Sequence, residues 1–306
     1  MRGGLVESEH RVAWCVVAGG SVVTEAWPGA GELATFARSA VKPFQALSSV
    51  RAGVLERFGL GERHLAVACA SHGGSDAHVA LVAEMLAACG LDEDALGCGP
   101  LAPRDPAVTA APARIRHNCS GKHALGLARC VHEGWPLDGY LEAHHPLQAA
   151  LRAEVAAATQ RDASGEAVDG CGMRTFALPL EALARAFGRL AGGDLGPDGD
   201  RVASAMGSNP ELVGYAGTID TELMAGEDGL VAKIGAEGLL CIGLPDGRGV
   251  AMKALDGAHR PVPPAAVWLA RAVLGLRANT RELAQLDAPP VLNSRGDVVG
   301  RLEVAG

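Results

Sequence analysis

The sequence predicts a mixed α/β (α+β) fold: one sheet formed by N- and C-terminal strands and flanked by helices, with a central, mainly helical lobe beside it. Three observations predict it. Valine- and leucine-rich runs bounded by Gly-rich turns cluster before residue 25 and again between 229 and 255. Between those clusters, apolar residues recur every three or four positions, the period of an amphipathic helix. With 48% hydrophobic and 20% charged residues, the chain has globular composition, which excludes the disordered, collagen-like and coiled-coil classes. A length of 306 residues allows two domains at ~150 residues each. The strand distribution instead suggests a single unit over 1–306, with sublobes at approximately 1–74 plus 226–306 (sheet) and 75–225 (mainly helical).

Arg11 to Val17 and Ser21 to Thr24, joined at Gly19-Gly20, read as a hairpin. From Ser39 the spacing of Phe44, Leu47, Val50 and Leu55 is helical. Pro43 is tolerated only in a first turn, so this helix is expected to begin near Ser39. Leu65 to Ala70 reads as a short buried strand, and Ser75 or Asp76 caps a helix running to about Gly90. A Pro-rich stretch from Gly97 to Pro112 is an extended loop. Helical periodicity returns at Lys122 to His132, Pro146 to Thr159 and Leu180 to Leu190, and Gly192 to Gly199 is the linker candidate. Strands follow at Leu230 to Lys233, Leu239 to Leu244 and Gly249 to Leu255, separated by Gly-rich turns, and then a helix at Pro264 to Leu276.

A net charge of −8 provides no basic stripe for nucleic acid or an anionic membrane. Apolar runs are broken by charge before they could span a bilayer. The N-terminus has no apolar stretch of a signal peptide, so a cytoplasmic address is expected. The eight cysteines are then expected as free thiols, some catalytic or metal-binding. The basic residues are skewed: of 27, 23 are Arg and four are Lys, namely Lys42, Lys122, Lys233 and Lys253. Where Arg is used wherever a plain charge suffices, a remaining Lys marks a place that needs a nitrogen able to lose its proton or donate a lone pair.

Ser39-Ala40-Val41-Lys42 places a hydroxyl and an amine one turn apart. A neutral Lys42 there would take the serine proton and activate the oxygen for attack on a carbonyl carbon. A lysine at its ordinary pKa of ~10.4 is a poor base, so burial or a second cation is required, and Lys233 in an apolar strand followed by Gly235 is the candidate. Ser71, in Cys69-Ala70-Ser71-His72-Gly73-Gly74, offers a second hydroxyl for proton relay. The cluster His117 to His123 lacks the first Gly and the Ser/Thr of a P-loop. Its Cys119 and Lys122, together with Cys171, offer a thiolate-rich zinc site, against the plainer reading of free cysteines in polar loops.

Taken in order, Arg38-Ser39-Ala40-Val41-Lys42, Cys69-Ala70-Ser71-His72, Asn118-Cys119-Ser120-Gly121-Lys122-His123, Asp169-Gly170-Cys171 and Lys233-Ile234-Gly235-Ala236-Glu237-Gly238 resemble the L-asparaginase II family, the rhizobial type of asparaginase, over nearly the whole chain. The resemblance implies a serine β-lactamase/penicillin-binding-protein-like fold, hydrolysis of L-asparagine to L-aspartate and ammonia through an acyl-enzyme, and a homodimer. It implies two Ser–Lys tandems, Ser39 with Lys42 and Ser71 with Lys233, as catalytic residues. It further implies zinc held by Cys119, Lys122 and Cys171, assisting substrate binding more than bond cleavage, with Arg38, His123 and Asp169 near the substrate or the metal. His117, Arg174 and a short segment between Leu190 and Pro210 depart from the family pattern. Alternatives are a glutaminase or β-lactam hydrolase of the same fold, a sensor that acylates once without turnover, and a structural zinc module.

Overall fold

A computed structural model describes residues 1–305. The N-terminal hairpin, β1 (Val12–Ala18) and β2 (Ser21–Glu25), is followed by β3 (Ala34–Phe36) and a 3-10 turn over Arg38–Val41 that enters α1 (Lys42–Arg51). The helical region holds α2 (Val54–Phe58), α3 (Glu62–Ala68), α4 (Asp76–Ala88), α5 (Ser120–Glu133) and α6 (Pro146–Thr159). Strands β4 (Gly165–Val168) and β5 (Arg174–Pro179) precede α7 (Leu180–Ala191), α8 (Gly196–Ser208), α9 (Pro210–Val213) and α10 (Ile219–Gly226). Strands β6 (Val231–Gly235), β7 (Leu239–Gly243) and β8 (Gly249–Ala254), helices α11 (Val262–Ala272) and α12 (Arg281–Asp287), and the pair β9 (Pro290–Leu292) and β10 (Val298–Arg301) complete the chain.

The main sheet has the order β2-β1-β8-β7-β6, every pair antiparallel. Strands from both chain ends therefore share one sheet, with Val16 opposite Val250, as the clustering of strand signals predicts. Helix α7 lies across β1, β7 and β8, burying Leu183, Phe187 and Leu190 against them. Strand β6 is an edge, and its free side faces the 3-10 turn. A side chain at Gly235 would press on the Ala37 carbonyl, so glycine there lets the strand pass this close. No helix among the described residues is long and apolar enough to cross a membrane.

The structure corrects four expectations. Leu65 to Ala70 is the end of α3 and the turn after it, not a strand. Leu65, Ala66, Val67 and Ala68 are all buried because α3 is packed by α4, α5, α8 and α9. A helix covered on all sides shows no polar stripe, so a short apolar run of it imitates a buried strand. The helix expected from Ser39 begins at Lys42, with Pro43 in its first turn as required. The residues before it wind as a 3-10 turn that starts where Arg38 takes the left-handed region, φ 48°. The linker candidate is consumed by the start of α8, whose Pro197 sits in the first turn. Lys233 lies inside β6, not at its end. Short β3, β4 and β5 form a separate sheet, order β3-β5-β4, that periodicity over three to six residues does not reveal.

Candidate active site

Ser71 follows α3 and is pinned by its N–H donating to the Val213 carbonyl at 2.9 Å. Its hydroxyl sits between two lysine amines brought from distant parts of the chain. Lys42 Nζ, from the first turn of α1, is 3.1 Å from Ser71 Oγ, and Lys233 Nζ, from β6, is 3.0 Å from it. Both lysines are 0% exposed and Ser71 is 1% exposed. Lys42 also donates to the Ala70 carbonyl at 2.5 Å and reaches the Asn118 carbonyl at 3.4 Å. Lys233 donates to the Ile234 carbonyl at 3.1 Å and to Asp220 Oδ2 at 3.3 Å. Burial lowers the Lys42 pKa, with Lys122 adding to the effect against Cys119 and Cys171. Burial also lowers Lys233, to about 8, with Asp220 opposing and Lys42 and Arg104 assisting.

The Ser71–Lys233 tandem is therefore assembled. Ser39 and Lys42 stand differently: Lys42 spends its side-chain donors on Ser71 and two carbonyls. The Ser39 hydroxyl makes no hydrogen bond among the described residues. The two are linked through the backbone, where Lys42 N–H donates to the Ser39 carbonyl. In a 3-10 turn the side chains at i and i+3 eclipse, so Ser39 and Lys42 rise on the same side. Ser39 is partly exposed, unlike Ser71. In the turn the Arg38 N–H donates to Thr175 Oγ1 at 2.9 Å and the Ala40 N–H to the Ala37 carbonyl at 3.0 Å, which leaves the Ser39 N–H for an oxyanion.

Arg38 Nε and Asp169 Oδ1 are 2.5 Å apart. Asp169 Oδ1 also accepts the Gly170 N–H at 2.7 Å. The expected substrate contacts are thus paired with each other, which leaves the outer guanidinium nitrogens of Arg38 and Oδ2 of Asp169 to a ligand. Next to them lie Cys119, Lys122 and Cys171, both cysteines free and all three buried. Hydrogen bonding from Cys171, opposed by burial and helped by Lys42, His117 and Lys122, holds the Cys119 thiol well below its usual range. The same bond and burial push Cys171 upward. Lys122 is raised, because both sulfurs and Asp169 outweigh its burial. The close approach that sets Cys119 and Lys122 over α3 depends on Gly121, where a Cβ would collide with the Val67 carbonyl.

Among the described residues no group of three His, Cys, Asp or Glu could hold a metal. Two soft sulfurs and an amine nonetheless suit zinc by donor chemistry, and a buried nitrogen adjoins them without a partner. The Gly97 N–H donates to Tyr140 Oη at 2.7 Å, and Tyr140 Oη lies 2.6 Å from His123 Nδ1. The tyrosine proton then belongs to that bond, which assigns the imidazole proton to Nε2. His123 Nε2 is buried and unpartnered among the described residues. Burial, then Lys122, keeps the ring well below its usual pKa, hence neutral.

Sequence reasoning missed Asp220, which is 0% exposed against Lys233. Its partner is on another element, so no local spacing marks it. Tyr140 was also missed, although the chain has only two tyrosines. The fourth lysine, Lys253, sits on β8 and donates to the Glu237 and Ala254 carbonyls at 2.5 and 2.6 Å. A family model described as L-asparaginase II matches residues 1–304. No curated protein matches the chain.

Proposed function

The chain belongs to the L-asparaginase II family, and from that premise we propose that it hydrolyses L-asparagine to L-aspartate and ammonia by Ser–Lys acyl transfer. The observation that carries this reading is the single hydroxyl of Ser71 held by two fully buried lysines, one of which, Lys42, directly follows the turn bearing Ser39. A buried amine deprotonates far more readily than a solvated one, and each lysine suppresses the charge of the other.

In the first step Lys42, as the neutral amine, takes the Ser39 hydroxyl proton while Oγ attacks the side-chain carboxamide carbon. The Ser39 N–H, the donor left over in the 3-10 turn, stabilises the oxygen as it gains charge. The proton passes through Ser71 to the departing nitrogen, the C–N bond breaks, and ammonia leaves the aspartyl ester on Ser39. Water then attacks that ester, giving its proton to the same relay, and aspartate is released with Ser39 restored. The free guanidinium nitrogens of Arg38 suit the α-carboxylate, and Asp169 Oδ2 suits the α-ammonium. Cys119, Lys122 and Cys171 would hold zinc, which when bound offers a Lewis acid to an oxygen of the substrate. His123 Nε2–H, fixed by Tyr140, is the donor left over beside them.

The same reading treats the chain as one catalytic unit on a serine β-lactamase-like scaffold, working in the cytoplasm as a homodimer. It is tested by ammonia release from L-asparagine and L-glutamine and by the colour change of a chromogenic β-lactam, together with the mass of enzyme quenched during turnover. Steady ammonia from asparagine and an aspartyl adduct on the peptide containing Ser39 are expected. Preferential turnover of glutamine or the β-lactam, or one acylation without turnover, would replace the reading.

A further inference from the structure

The surroundings of the two buried lysines are nearly alike, and the exception is informative. Lys42 Nζ faces Ser71 Oγ and two backbone carbonyls. Lys233 Nζ faces Ser71 Oγ, one backbone carbonyl and a carboxylate oxygen. A hydroxyl has one proton, so Ser71 can donate to only one of the two nitrogens and must accept from the other. Geometry at Ser71 is close to symmetric, at 3.1 and 3.0 Å. Asp220 breaks the symmetry.

We propose that Asp220 is a positioning residue that keeps Lys233 in its ammonium form, so that Lys233 serves Ser71 as a hydrogen-bond donor and not as a base. This rests on the Ser–Lys reading above and adds to it the assignment of charge within the pair. Asp220 stands in the first turn of α10, packed on β6. Its Oδ2 accepts from Lys233 Nζ and from the Ile234 N–H at 3.0 Å, so it grips both the side chain and the backbone that follows it. Its Oδ1 accepts the Thr221 N–H at 3.2 Å. Each oxygen is bonded as a carboxylate prefers, and no water competes for it because the side chain is 0% exposed. A buried anion in this place stabilises charge on the adjoining amine far more than an exposed one would.

The other groups facing Lys233 do not supply that charge. Lys42 from α1 and Arg104 from the loop before α5 repel its proton. Cys69 after α3 and Cys241 on β7 are thiols pushed up by burial to about 12 and further, so both are neutral at physiological pH. Asp220 is thus the one anion in contact with Lys233 among the described residues. Removing its charge lowers the pH at which Lys233 loses its proton, by about one unit or more for a contact of this kind.

The test uses the chain's four lysines. Lysine-selective 15N labelling of the full-length protein gives four Nζ signals, and the one lost in Lys233→Arg is that of Lys233. In the unmodified protein this signal is expected to be that of an ammonium at pH 6.5 and to titrate near pH 8. In Asp220→Asn, which keeps the side-chain carbonyl for the Ile234 N–H, it titrates at least about one unit lower. The alkaline limb of kcat/KM for asparagine moves down with it, so activity at pH 8 falls about tenfold relative to that at pH 6. Asp220→Glu restores the limb. A merely structural role for Asp220 would lower activity evenly across pH and leave the Lys233 titration unmoved, and that result overturns the proposal. A neutral Lys233 at pH 6.5 in the unmodified protein overturns it as well, even if Asp220→Asn fails to fold. If asparagine is not hydrolysed at any pH, the Ser–Lys reading fails, while the titration of Lys233 still decides the role of Asp220.

Discussion

Lys122 and Lys233 are both withdrawn from solvent, yet their pKa values move in opposite directions. Lys233 is driven down to about 8, whereas Lys122 is driven up. The difference is their company. Lys233 shares a neutral hydroxyl with a second lysine and has one carboxylate to steady it. Lys122 lies against two sulfurs, one of them acidic, and near Asp169. Burial strengthens whatever electrostatic neighbourhood a group is given, because the low dielectric magnifies attraction and repulsion alike. One part of the site, on β6, thus binds its proton less tightly and the other, at the start of α5, more tightly.

The largest effect that separates the two halves is expected at the serine end. Ser39→Ala should lower kcat about 10^4-fold or more, as loss of a nucleophile does elsewhere, with the aspartyl adduct gone from the quenched enzyme. Ser71→Ala should cost less, roughly 10^2 to 10^4, the range of a proton-transfer group. Reversal of that order would exchange the roles of the two serines.

A sharper comparison makes the same change at two lysines. Lys42→Arg preserves the charge but cannot lose a proton, so kcat is expected to fall by roughly 10^2 to 10^4. Lys122→Arg keeps the charge that the thiol pair requires but removes the amine as a ligand. It should raise KM by roughly 10 to 100-fold, the range of a disturbed metal site, with little change in kcat and a lower bound-zinc content by elemental analysis. Equal losses of kcat in the two variants would erase the distinction between the halves. The smallest effect belongs to Lys253→Arg, where two carbonyls are the only partners and either cation can serve them. Activity within about twofold of the parent is expected, since surface-type exchanges of this sort leave function nearly untouched.

Much of this was legible in the sequence, for identifiable reasons. The sheet of terminal strands could be read because β6, β7 and β8 are punctuated by Gly-rich turns, a local signal. Ser39, Lys42, Ser71 and Lys233 stood out because lysine is scarce and each lies in a short motif. What stayed hidden was set by tertiary contact. The run expected as a strand at Leu65 to Ala70 is helical, and it misleads because neighbours cover the last turn of α3 on every side. The cross-bonding of Lys42 to Ser71 rather than to Ser39 depends on the Gly121 approach of α5 to α3 and the Gly235 approach of β6 to the turn. Asp220 and Tyr140 act across elements, and their sequence neighbours do not announce them.

The partition of the main sheet between the chain's two ends has a consequence for synthesis. Strand β1 leaves the ribosome early, but its partner β8 follows only after the whole helical region, as the pairing of Val16 with Val250 requires. At about 5–20 residues per second, β1 waits many seconds with one edge open, in a fold whose long-range pairing is slow to form. Lys233 and Asp220 arrive in that same last portion. A nascent chain therefore holds Ser39, Lys42 and Ser71 without Lys233 or Asp220 for most of its synthesis.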